Sequence, residues 1–129
     1  MTEVLNLAKS TTGWVVEEHT DIDFNIKVVM KDPNGVNMGE VVGLGKWALV
    51  EYFEFHDNVA VFVAQGERGL YLESYSLSQE DNRWHCYKNQ KIRGKPFMLA
   101  CRLTNDKKCI IECAHRHGDF EDYELVFDI

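Results

Sequence analysis

The sequence predicts an all-β fold, an antiparallel meander of about eight to ten strands closed into a barrel or layered as a sandwich, with a short N-terminal helix. Three observations support this reading. Apolar residues recur with a period of two over much of the chain, as they do in sheets with one buried face. Polar and glycine-containing turns interrupt those runs about every 8–12 residues. No long helical pattern stands between one run and the next, which argues against parallel βαβ units.

Thr2 to Lys9 groups Val4, Leu5, Leu7 and Ala8, which suits a short helix that Thr11–Gly13 would end. Alternation then begins. Phe24, Ile26, Val28 and Met30 alternate with Asn25, Lys27 and Lys31, the pattern of a half-buried strand. DPNG at 32–35 supplies a turn, because Pro33 presets φ and Gly35 accepts a positive one. Gly39, Gly43 and Gly45 precede an aromatic strand, where glycine suits a bulge or a barrel corner. No helix follows them to receive a phosphate, so a nucleotide-binding loop is set aside.

Trp47, Leu49, Phe53 and Phe55 alternate in the next strand, HDN at 56–58 turns the chain, and VAVFVA follows. GERG at 66–69 leads into LYLESYSL, and QEDN at 79–82 into RWHCYK. The polar segment 88–96 reads as a loop before a hairpin of FMLACRLT and CIIECAH, and YELVFDI closes the chain. If Phe97, Leu99, Cys101 and Leu103 share a face with Cys109, Ile111, Cys113 and His115, paired residue numbers must sum to an even value. A three-residue loop at Asn105–Lys107 meets that condition and sets Cys101 opposite Ile111.

With 129 residues the chain suits one domain, 1–129, able to bury a core without disulfides or metals. No apolar run approaches the roughly 20 residues of a membrane span, and the N-terminus lacks the pattern of a secretory signal. A cytoplasmic location is therefore expected, with Cys86, Cys101, Cys109 and Cys113 as free thiols.

CIIECAHRHGD at 109–119 gathers two cysteines and two histidines, yet four residues along a strand span about 13 Å, too far for Cys109 and Cys113 to share one metal. His115 and His117 lack a third ligand fixed by spacing. Neither a metal, another cofactor nor a catalytic constellation is expected, and the cysteines read as small core residues.

Charge is unevenly placed. The net value is −7, but residues 83–108 carry eight Lys or Arg against one acid, whereas 1–82 and 109–129 are acidic. Lys88, Lys91, Arg93 and Lys95, with Trp84 and Tyr87 upstream, suggest a phosphate contact, but the surrounding negative charge argues against direct nucleic-acid binding. The acidic C-terminal segment points to a non-enzymatic protein-binding module. It reads as an inhibitor or immunity protein that neutralises a basic, nuclease-type toxin, with Asp119, Phe120, Glu121, Asp122, Tyr123, Glu124 and Asp128 as the partner-binding residues. Further acids at Glu17, Glu18, Asp21 and Asp23, and at Glu51, Glu54 and Asp57, extend the negative surface. The alternative is a barrel carrying a small hydrophobic ligand among Trp14, Trp47, Phe53, Phe55, Phe62 and Trp84. A metal-dependent enzyme or sensor using the histidines and thiols is a third reading.

Overall fold

A computed structural model describes residues 3–44, 49–66, 68–94, 96–115 and 121–129. Among these are β1 (Glu3–Lys9), β2 (Val15–Thr20), β3 (Ile26–Lys31), β4 (Asn37–Val41), β5 (Leu49–His56), β6 (Val59–Gly66), β7 (Gly69–Ser78), β8 (Arg83–Ile92), β9 (Phe97–Leu103), β10 (Lys108–Ala114) and β11 (Tyr123–Asp128), with no helix. The fold is all-β. Eight strands form one sheet in the order β1-β2-β3-β4-β8-β7-β6-β5, and three form a second in the order β11-β10-β9.

The expected N-terminal helix is corrected to strand β1. Seven residues make about two helical turns, too few to be stable alone, whereas pairing with β2 satisfies the backbone and sets Leu5 opposite Glu18. Segment 88–92 is likewise strand, not loop, because β8 continues beside β7 until Ile92 opposes Leu70. The meander also has one break. β4 and β8 pair in parallel through Glu40–Arg83 and Val41–Trp84. Gly39 permits that junction: its φ is +119°, and a Cβ there would stand 2.7 Å from the Asn82 carbonyl oxygen.

The first and last strands in the order, β1 and β5, come into contact and nearly close the large sheet into a barrel. A carboxylate bridges the two sides. The backbone N–H and Oγ1 of Thr11 donate to Glu54 at 3.1 and 2.9 Å, which hydrogen-bonds an acid buried to 9% exposure.

Side chains fill the described barrel interior: Val16, Met30, Phe53, Phe62, Tyr75 and Trp84 are all buried there. Phe53 stacks on Phe62 at 4.7 Å and Phe62 meets Tyr75 edge-on at 5.2 Å, both favoured aromatic geometries. The second sheet lies on the outer face of the barrel. There Cys101, Cys109, Ile111 and Cys113 pack against Val61, Val63, Leu72 and Ile92. Two hydrogen bonds tie it down, from Tyr52 Oη to the Met98 carbonyl at 3.2 Å and from Gln90 Nε2 to the Asp128 carbonyl at 2.7 Å. Strand β6 serves both cores, with Ala60 and Phe62 facing inward and Val61 and Val63 outward.

The β9–β10 hairpin has the expected register at its closed end. Cys101 opposes Ile111 and Cys109 opposes Leu103, while Lys107 adopts a φ of 61° at the end of its loop. Farther along, a register shift between Glu112 and Cys113 sets Met98, not Leu99, opposite Cys113. One extra residue reverses which face a side chain takes. Phe97 and Leu99, expected inside, are therefore 60% and 47% exposed. A similar shift between Val50 and Tyr52 leaves Leu49 exposed and puts Val50 against the barrel core with Phe53 and Phe55. Trp47 and Gly45 lie outside the described residues.

Because β6 is shared, the two cores should unfold together. Ile111→Ala, in the second core, should cost about 2–5 kcal/mol and Phe62→Ala about 3–5 kcal/mol. Both should lower the urea midpoint reported by tryptophan fluorescence, since Trp14 and Trp84 lie with the barrel core. An unchanged midpoint in Ile111→Ala would mean that the sheets unfold independently.

Candidate protein-binding surface

The acidic segment expected to bind a partner divides into several environments. Asp119 and Phe120 lie outside the described residues. Glu121 and Asp122 precede β11, are exposed, and enter no ion pair among the described residues. Tyr123 is half-buried against the second core, its ring 4.8 Å from that of His115. Glu124 pairs with Arg102 at 3.7 Å, and Arg102 also reaches Glu112 at 3.8 Å. Asp128 pairs with Lys108, which holds its carboxyl below the usual carboxylate range. Antiparallel pairing thus sets the basic and acidic segments side by side and interleaves their charges. Exposed pairs of this kind add little stability, but they offset the negative row.

The thiols behave as packing groups. Cys101, Cys109 and Cys113 are buried and unbridged, and the first two sulfurs lie 3.4 Å apart. The hydrogen bond with Cys109, together with burial, pushes the Cys101 thiol far above its ordinary value; burial likewise raises Cys113. Thiolate chemistry is suppressed at both. His115 is exposed and His117 lies outside the described residues. Among the described residues, no three His, Cys, Asp or Glu side chains are grouped to hold a metal. Trp84, grouped above with the basic residues 88–95, is buried and donates Nε1–H to the Met38 carbonyl at 3.1 Å.

A different element presents the features of a docking surface. Phe24, expected to begin the core face of a strand, instead lies in the β2–β3 loop with a φ of 63° and 84% exposure. Ile22 beside it is 76% exposed. A bulky residue seldom adopts positive φ, and such strain persists where the surroundings impose it. Here Asp21 imposes it. Asp21 Oδ1 accepts from the backbone N–H groups of Asp23 and Asn25, both at 2.9 Å, and Oδ2 accepts from Asn25 Nδ2 at 3.2 Å. The Phe24 N–H closes the turn on the Asp21 carbonyl at 3.1 Å. An aromatic and an aliphatic side chain thereby project from a fixed loop between the exposed carboxylates Asp21 and Asp23. On the adjoining strand, Val4 and Leu5 are 54% and 58% exposed. The sequence signal that could have marked this loop is DIDFN itself, in which Asp21 can cap its own turn.

No family model, curated protein or solved structure matches the chain. The fold and this surface define an all-β, barrel-like chain bearing an apolar tip flanked by acids.

The Asn25 backbone N–H is the main cause that lowers the Asp21 pKa from its ordinary 3.8. The folded value lies below the unfolded one, so the loop's stabilisation is complete above pH 3.8 and is lost as pH falls through the folded pKa. Amide chemical shifts of Asp23 and Asn25 should therefore hold steady down to about that pH and move together below it. In Asp21→Ala they should lack that transition. Thiol reagents should label Cys86 in the native chain, slowed because burial of its sulfur raises its pKa, and the other three cysteines only after unfolding.

Proposed function

We propose that the chain is a non-enzymatic acidic protein-binding module of the inhibitor or immunity type, which neutralises a basic, nuclease-type toxin in the cytoplasm by covering its active site. The observation that carries this reading is the fixed loop 21–25, where Phe24 and Ile22 stand in solvent between Asp21 and Asp23. Exposed aromatics on a pre-ordered support are the usual anchors of protein interfaces. Flanking carboxylates steer a cationic partner toward them and disfavour anionic competitors. Glu121 and Asp122, exposed outside the charge-paired sheet, add to the net negative charge that attracts such a partner.

Binding to the basic protein isolated with the chain at low salt tests the proposal. Phe24→Ala should weaken affinity at least tenfold, about 1.4 kcal/mol, chiefly through faster dissociation. It should leave the melting temperature unchanged or raised, because the ring is exposed and the strained φ is relieved only in part. Reversing Glu121 and Asp122 to lysine should slow association and reduce its salt dependence. Retention of wild-type affinity by Phe24→Ala, or a partner with no excess of positive charge, would remove the reading.

A further inference from the structure

We propose that the cleft between the barrel and the second sheet is a binding site for a small amphiphile with one anionic head group and an apolar body. The cleft has a volume of about 550 Å³, within the range of small-molecule sites. It lies where β5, β6, β7, β8 and the start of β9 meet, so it opens the second core to solvent. Leu70, Ile92 and Met98 provide an apolar floor, and Phe97 stands at the edge.

Two structural irregularities build this site. The register shift in the β9–β10 hairpin turns Met98 inward to the floor and leaves Phe97 60% exposed, where it can close over a ligand. Gly69, whose φ of +124° favours glycine, makes the tight β6–β7 turn, and the Lys91 side chain passes beside it, with Cε 3.6 Å from where a Cβ would stand. Lys91 and Arg68 line the same cleft, and neither belongs to an ion pair among the described residues. Lys31, Arg83, Arg102 and Lys108 are paired elsewhere, and of the described cations without an ion pair only Arg68 and Lys91 line this cleft.

The wall chemistry selects the ligand. Two cations beside an apolar floor favour an anion attached to hydrocarbon, with arginine able to hold a carboxylate or phosphate through two parallel hydrogen bonds. Glu51 also lines the cleft, and Gln65 adds an amide that can donate to the head group. The barrel interior offers no comparable arrangement, since aromatic and aliphatic side chains fill its described part. This site is independent of the protein-binding loop and does not rest on the function proposed above.

Decanoate and decyl phosphate, each titrated below its micelle concentration and followed by calorimetry and amide chemical shifts, test the proposal, with decanol as the neutral control. Both anions should bind with Kd below roughly 100 µM and decanol at least tenfold more weakly. The stronger of the two anions identifies the head group as carboxylate or phosphate. Arg68→Gln with Lys91→Gln should weaken the anions tenfold or more and leave decanol unchanged. Both side chains are exposed, so unaltered thermal unfolding should accompany that loss. Phe97→Ala should weaken all three ligands several-fold. The proposal is overturned if neither anion binds, if decanol binds as tightly, if the double variant binds like the wild type, or if the shifts map to Trp14 and Trp84.

Discussion

The fold depends on burying one strand on both faces. Ala60 to Ala64 are all buried in β6, with alternate residues entering the barrel core and the second core. A barrel strand ordinarily shows water its outer face. Val61 and Val63 prevent that arrangement here, because exposing them would leave a contiguous apolar surface across β6 and its neighbours. The second sheet is the cover that this surface requires. The choice between barrel and sandwich therefore has no single answer: the chain curls one sheet upon itself and then layers another against it.

That duality was partly legible in VAVFVA, an unbroken apolar run where half-buried strands would alternate. Strand positions, most turns and the pairing of Cys101 with Ile111 followed from periodicity and loop length. Three features did not. The N-terminal strand lacks a distinctive pattern because its stability comes from pairing with β2, a tertiary effect. The inserted residues in β5 and β9 reverse side-chain direction without altering composition. The parallel β4–β8 junction joins segments more than forty positions apart, which local signals do not encode.

The candidate site was legible in composition more than in position. Acidic residues were visible in the C-terminal segment, but the cations that offset Glu124 and Asp128 lie on the other two strands of its sheet and become partners only through antiparallel pairing. At Phe24 the error ran the other way. Its spacing matched that of Ile26, Val28 and Met30, yet the Asp21 carboxylate captures the backbone first and removes the ring from the strand. Local hydrogen bonding there outweighed hydrophobic periodicity.

The shared strand also constrains the order of events during synthesis. β6 emerges from the ribosome well before β9, β10 and β11, so Val61, Val63, Leu72 and Ile92 are made before the residues that cover them. Until residues 97–129 follow, a nascent barrel would carry an adhesive outer wall, of the kind that invites aggregation or chaperone binding. The second sheet is in this sense a seal made after the wall it covers, and termination between Ile92 and Phe97 would release a chain with all eight strands of the large sheet but an open second core.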